Sequence, residues 1–190
     1  MADNYILDLE IRDMVYTEND ILFKEYERCT FYDCDFSACN FLGVAFIDCN
    51  FHNCNFEQAK INYISLRRAI FHDCKFSEVN FAMCDPLLFE IHFKNCNLDF
   101  AKFYNLKMKG TTFTDCSIIA VDFMNADITE VLFDNCDLHK AVFINSIANK
   151  ADFSTSFNFS IDPDKNKLKR ALFSTAGLKG LLEKHDLIIK

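Results

Sequence analysis

A four-sided parallel β-solenoid is the fold that this sequence predicts, an all-β rod with a short helical tail, on three observations. Large apolar residues recur every five positions, a row of small or slim residues precedes them by two, and both rows match themselves best at a lag of twenty. The first row, the centres, runs through Phe31, Phe36, Phe41, Phe46, Phe51, Phe56, Ile61, Leu66, Phe71, Phe76 and Phe81. A period of five belongs to neither a helix nor a strand. Each pentad therefore makes one short side of a coil and then turns.

The companion row holds Cys29, Cys34, Cys39, Val44, Cys49, Cys54, Ala59, Ile64, Ala69, Cys74 and Val79. After one more step through Cys84 and Pro86, the centres resume two residues late as Phe93, Leu98, Phe103, Met108, Phe113, Ile118, Phe123, Ile128, Phe133, Leu138, Phe143, Ala148 and Phe153. Their companions include Cys96, Cys116 and Cys136, so all ten cysteines fall in one inward row. A zinc site needs close pairs such as C-x₂-C, and disulfide frameworks belong to small secreted chains without a core. A buried thiol instead packs as a small hydrophobe, and the narrow space beside the Phe row predicts reduced, structural cysteines.

The lag fixes the number of sides. In the second block Phe alternates with Leu, Ile or Met, and a lag of twenty stacks Phe93, Phe113, Phe133 and Phe153 while a lag of fifteen mismatches them. Asp or Asn just before many centres, as at Asp35, Asn55, Asp122 and Asp152, suits repeated turns because these side chains bond nearby backbone. From about Ile21 to Phe159 the chain has room for about seven coils, ~34 Å of shaft at ~4.8 Å per layer. Each buried centre contributes roughly 1.5–3 kcal/mol by apolar burial.

The ends depart from the pattern, as solenoid ends must to avoid edge pairing. Residues 1–25 keep the phase at Tyr16 and Ile21 but not in the companion row, which predicts an irregular first coil as N-terminal cap. Residues 26–160 form the repeat region. In 161–190, Leu168, Ala171, Leu172, Ala176, Leu178, Leu181 and Leu182 take helical spacing, with Gly177 and Gly180 as interruptions. Together with Leu187, Ile188 and Ile189, the residues Leu178, Leu181 and Leu182 make an apolar end suited to a two-fold dimer.

Composition bounds the rest. The chain has 190 residues, 51% of them hydrophobic, with 22 Phe, no Trp, four Gly and two Pro, enough for one core and too regular for a loop-rich globule. Residues 1–20 carry Asp3, Asp8, Glu10, Arg12, Asp13 and Glu18, which excludes a signal peptide and predicts a cytoplasmic location. No uncharged apolar run approaches the roughly 18 residues of a membrane span. The net charge of −8 argues against direct nucleic-acid binding, which depends on Lys and Arg neutralising phosphates. The excess lies in residues 1–60, where twelve acidic residues face Arg12, Lys24, Arg28 and Lys60.

No nucleotide loop, H-E-x-x-H or G-x-S-x-G occurs, and four scattered glycines cannot cradle phosphate. No catalytic residue and no cofactor is predicted, since outward carboxylates on a flat wall lack a pocket to shift their pKa. His52 and His72, one coil apart, could stack and share a metal or sense pH, against the plainer reading of exposed polar residues. Asp33, Asp35, Asp48, Glu57, Asp73 and Glu78 could form a partner-binding acidic face, against the plainer reading of a solvated wall.

Pentads such as Ala126-Asp127-Ile128-Thr129-Glu130 and Ala151-Asp152-Phe153-Ser154-Thr155 resemble the pentapeptide-repeat family, over most of the chain. The tail, through Ile161-Asp162-Pro163, Asn166 to Ser174, Leu181-Leu182 and Asp186 to Ile189, is similar to its Qnr, MfpA and AlbG subgroup. That resemblance implies a right-handed quadrilateral β-helix, a homodimer through its C-terminal helices, occupying the DNA-binding saddle of DNA gyrase or topoisomerase IV. Such rods imitate DNA and protect the enzyme from quinolones or peptide toxins, by carboxylates facing a basic groove. The chain departs from the Qnr pattern in lacking two long projecting loops, and Arg67, Arg68, Lys102, Lys107 and Lys109 neutralise its middle. The alternative is a scaffold for another protein partner.

Overall fold

In the computed structural model, which describes residues 4–37 and 39–188, each pentad lays one three- to four-residue side of a coil. Eleven strands are formed among the described residues: β1 (Tyr5–Leu7), β2 (Glu10–Arg12), β3 (Glu25–Glu27), β4 (Thr30–Tyr32), β5 (Ala45–Ile47), β6 (Asn50–His52), β7 (Ser65–Arg67), β8 (Ala69–His72), β9 (Ile91–Lys94), β10 (Thr112–Thr114) and β11 (Leu132–Asp134). Strands β1, β3, β5 and β7 make the first face, and β2, β4, β6, β8, β9, β10 and β11 the second. All pairs are parallel, with Phe31 beside Phe51 and Phe113 beside Phe133 at a lag of twenty. The third and fourth faces are held by single bridges, such as Asp35 with Asn55 and Asn40 with Lys60.

The interior follows from the two rows. Centres Phe31, Phe51, Phe113, Phe133 and Phe153 are almost wholly buried. Their rings stack face to face along the axis, Phe93 to Phe113 at 5.3 Å, Phe113 to Phe133 at 5.1 Å and Phe133 to Phe153 at 4.9 Å. Across the coil they meet edge to face, as Phe123 does Phe133 at 81°. Both geometries suit the ring quadrupole.

The cysteines sit beside this ladder, all ten buried and unpaired. Their thiols do more than fill space, because Cys49 Sγ donates to Tyr26 O and Cys136 Sγ to Phe113 O, each at 3.4 Å. Where serine stands in the row, the Ser146 and Ser156 hydroxyls donate to Phe123 O and Phe133 O. Burial pushes the Cys39 and Cys49 thiols up to about 12. With all ten thiols buried away from solvent, Ellman's reagent is expected to find no reactive thiol in the native rod and ten after denaturation. Prompt native labelling would contradict a sealed cysteine row.

Two devices make each corner. The residue before the centre bonds the backbone beyond it, as when Ser37 N donates to Asp35 Oδ1 and Met124 N to Asp122 Oδ1. The residue two after the centre takes a left-handed φ, as at Asp33 (54°), Asn53 (52°), Arg68 (52°) and Phe100 (62°). Such backbone costs an L-residue roughly 1–2 kcal/mol. Here its N–H stays in the ladder, Asp33 N donating to His52 O and Asn53 N to His72 O, both at 2.9 Å.

The predicted slip lies where expected. Asp85 N still donates to Ile64 O, but Phe71 pairs with Phe93 and Lys75 with Asn97, two residues late. Pro86 does not serve as a centre. It is exposed, while Phe89 leans half-buried on the core and Leu87 and Leu88 project outward.

At the amino end, β1 and β2 pair with β3 and β4 in the same register, so the coil reaches back to Tyr5. At the other end, bridges from Ile147 to Lys167 and Asp152 to Leu172 carry the register past Pro163. Phe173 stacks on Phe153 at 5.2 Å, and Leu168 leans on the core. The helical spacing of Leu168, Ala171 and Leu172 thus forms no helix, because the coil's own hydrogen bonds claim that segment. Asn158, at a centre position, turns out and Phe159 packs inward instead.

A 3-10 turn spans Phe81–Met83 at the slip, and the tail turns helical at Ala176–Leu178, α1 (Lys179–Leu182) and Glu183–His185, ended by Asp186 in the left-handed region. Gly177 and Gly180 lie inside this segment as contacts rather than interruptions. A Cβ on Gly180 would fall 2.2 Å from Phe159 O, so only glycine lets the helix approach so closely.

Candidate functional site

Because neighbouring residues in a pentad project from different places and the twentieth residue returns to the same place, charge on this rod sorts by face rather than by sequence. The second face, with its corner to the third, carries Glu10, Asp13, Asp33, Asp73, Asp115, Asp134 and Asp152 against Arg12 and Lys94. The third carries Glu18, Asp35, Glu57, Glu78, Asp99 and Asp137 against Lys75 and Lys140. These adjoining faces form an acidic edge running from Glu10 to Asp152. Of the acidic residues in 1–60, Glu10, Asp13, Glu18, Asp33, Asp35 and Glu57 belong to a strip that continues along the shaft, while Asp8, Glu25, Glu27 and Asp48 lie on the first face.

The first face is charged yet balanced. Outside the slip, from Tyr5 to Lys150, it pairs Asp8, Glu25, Glu27, Asp48, Asp127 and Glu130 with Arg28, Arg67, Arg68, Lys107, Lys109 and Lys150. Arg28 grips Asp8 at 2.7 and 2.9 Å, and Lys150 reaches Glu130 at 2.6 Å. Arg68 donates to both oxygens of Asp48 and holds its carboxyl below the usual carboxylate range.

Of the six predicted acidic residues, Asp33 and Asp73 lie at the corner between the second and third faces, and Asp35, Glu57 and Glu78 lie on the third. Asp48 stands apart on the first face, neutralised by Arg68. The corner itself is a ladder in which Asn53 Nδ2 donates to Asp33, Asn95 Nδ2 to Asp73 and Asn135 Nδ2 to Asp115, at 2.5–2.7 Å. Asparagine between the aspartates relieves their repulsion. Sequence reasoning missed Glu10, Asp13, Glu18, Asp99, Asp115, Asp134, Asp137 and Asp152. Assigning outward positions by the lag of twenty finds them.

His52 and His72 do stack, at 4.8 Å and 3° between planes, within a longer ladder in which Tyr32 covers His52 at 4.9 Å and Arg12 lies 3.8 Å above Tyr32. Parallel rings aim their nitrogen lone pairs in separate planes, so this arrangement does not converge on a shared metal. Among the described residues no cluster of three metal-ligating side chains occurs. Burial, with the adjacent His52, holds His72 below the usual imidazole range.

The fourth face, opposite the second, is nearly uncharged, with Asp20, Lys60, Lys102 and Asp122 between Asp20 and Asn145. Directly after the centres it bears Leu22, Leu42, Asn62, Ala82, Tyr104, Met124 and Ile144, and one place further Phe23, Gly43, Tyr63 and Met83. Phe23 lies flat over Gly43, where a Cβ would come within 2.6 Å of the ring, at a φ of +70° that also favours glycine.

At the carboxyl end, Leu178, Leu182, Leu187 and Ile188 are exposed, Ile188 by 88%, whereas Leu181 turns inward against the core. Ile189 lies outside the described residues. A cleft of about 470 Å³ separates the last coil from the helix, lined by His139, Asn158, Phe159, Lys179 and Glu183 among others. It contains none of the cysteines, which are all in the core.

Comparison with known proteins agrees with the repeat. The model of the pentapeptide repeat region matches residues 86–157, and that of nine-copy pentapeptide repeats matches 26–70 and 36–80. No curated protein matches by sequence. Among solved structures, a trypsin-treated form of QnrB1, a plasmid-mediated fluoroquinolone resistance protein, is 15% identical over 98% of this chain and 100% of its own, with a TM-score of 0.51. HetL, a pentapeptide repeat protein involved in heterocyst differentiation regulation from Nostoc sp. strain PCC 7120, is 10% identical over 90% of this chain and 85% of its own, with a TM-score of 0.40. At 15% identity the likeness to QnrB1 is one of fold.

Proposed function

Since the chain belongs to the pentapeptide-repeat family, we propose that it is a non-enzymatic rod that binds a type II topoisomerase, DNA gyrase or topoisomerase IV, through its acidic edge. Binding there modulates the enzyme or shields it from quinolones or peptide toxins, in the cytoplasm, with two copies joined through the exposed apolar carboxyl end. The observation that carries the reading is the edge itself. Its thirteen carboxylates exceed four basic residues by nine over a seven-stranded stack, about one net negative charge per 4 Å. A single DNA strand carries one per ~3.4 Å. A basic groove that expects phosphates meets a comparable line of charge, which favours encounter and orientation.

A second reading, a scaffold for a different protein, is favoured by a shaft interrupted, among the described residues, by a two-residue slip rather than by long projecting loops, and by the nearly uncharged fourth face. Titrating the purified protein into a gyrase supercoiling assay, with and without a quinolone, separates the two. The first reading expects inhibition, or protection from the drug, at micromolar protein. No effect at that concentration would remove it.

A further inference from the structure

We infer that the acidic edge carries its own pH control, in which histidines set within it take up protons as the pH falls and weaken its hold on a basic groove. The partner rests on the topoisomerase reading, the control on where the histidines stand. Of the chain's five, His52, His72 and His92 lie on the second face and His139 on the third, while His185 lies in the tail. Imidazole is the side chain whose ordinary titration falls between pH 5 and 8, where carboxylates keep their charge. Four protons take the edge from its excess of nine negative charges to five.

The repeat concentrates that charge. Arg12, Tyr32, His52, His72 and Lys94 occupy one row, in register across five successive strands. At neutral pH the row is cationic only at its ends, and Arg12 is paired there with Glu10 at 3.0 Å. With both imidazoles protonated it becomes a seam of four positive charges, ~19 Å long at ~4.8 Å per layer. That seam runs beside the corner that carries Asp13, Asp33 and Asp73. A basic groove drawn to those aspartates then meets repulsion from the adjoining row.

The groups around each ring set how the charge enters. His52 lies between Tyr32 and His72, with Asp33 and Asp73 at the corner of the strands on either side. His72 lies between His52 and Lys94, where burial, His52 and Lys94 hold it low against the pull of Asp73. Two like charges on rings 4.8 Å apart arrive in separate steps, so the seam fills progressively as the pH falls. His92, between Ile70 and Thr112, bonds the Thr112 hydroxyl at 2.9 Å and has Glu90 at 3.9 Å and Lys94 on its own strand. A hydroxyl can donate or accept, so this contact survives protonation. His139 has Asp137 and Lys140 in its own turn and shares the end cleft with Lys179 and Glu183.

Association of the full chain with gyrase, followed in low salt at one ionic strength, is expected to be about tenfold slower at pH 5.5 than at pH 7.5, within the range over which charge steers encounter. Gyrase titrates too, so the parent is compared with a variant carrying His52→Phe, His72→Phe, His92→Gln and His139→Gln, whose phenylalanines keep the stack without its charge. The ratio between the two pH values is expected to fall to about a third of the parent's or less. If that variant melts lower than the parent, His92→Gln with His139→Gln, both outside the stack, is expected to remove about half of the effect. Equal slowing of parent and a folded variant would overturn the inference while leaving the topoisomerase reading in place. No association of the parent at pH 7.5 would remove that reading, and with it the partner named here. A fluorescent oligolysine peptide, read by anisotropy against the full chain, then tests the control by itself, since lysine keeps its charge at both pH values. It is expected to bind the parent several-fold more weakly at pH 5.5, and equal binding at the two pH values would overturn the inference.

Discussion

Replacing Phe113 by alanine is expected to lower the unfolding free energy by about 3–5 kcal/mol, the range for a large aromatic lost from a packed core. Phe113 is fully buried, stacked on Phe93 and Phe133, and meets Phe103 and Phe123 edge to face. The cavity would touch two neighbouring coils, and regular hydrogen-bonded coils cannot collapse inward to fill it. Total stabilities are about 5–15 kcal/mol, so this single change consumes a large share, a fall in melting temperature of roughly 6–20 °C. Thermal and urea unfolding measure it, with Tyr63→Ala on the surface as a comparison expected within about 0.5 kcal/mol of the parent. Equal effects of the two substitutions would show that the Phe ladder is not the source of stability.

Reversing two charges on the third face, Glu57→Lys with Glu78→Lys, is expected to slow association with gyrase ten- to a hundredfold at low salt, with the gap closing as salt rises. Both carboxylates lie on the acidic edge, and electrostatic steering acts on encounter rates over this range. Reversal of the paired Asp48 and Arg68, by Asp48→Arg with Arg68→Asp, keeps the first face neutral and is expected to leave the rate unchanged. Stopped-flow or surface-based binding at two ionic strengths reads both variants. A rate indifferent to the third face and sensitive to the first would move the binding surface elsewhere.

The repeat, the number of sides and the slip were legible because they depend on one-dimensional spacing, and a lag of twenty is visible in Phe93, Phe113 and Phe133. Corner aspartates such as Asp35 and Asp122 were legible for the same reason. The acidic edge was legible only in fragments. Residues as far apart as Glu10 and Asp152 join one strip only after their outward positions are sorted by coil, which a count along the chain does not do. The tail misled because Leu168 and Leu172 have helical spacing while long-range hydrogen bonds hold them in a coil. Left-handed backbone at Arg68, Tyr63 or Phe100 has no propensity signature at all, since the ladder rather than the residue type enforces it.

The slip beside Pro86 divides the shaft into two stacks, each in strict register and joined by one irregular corner. Gene duplication or deletion of any whole twenty-residue block within either stack would leave every surviving contact type in place. The rod can therefore lengthen or shorten over evolutionary time in single steps of ~4.8 Å. Insertions of other sizes are confined to corners, where they become new surface rather than new shaft.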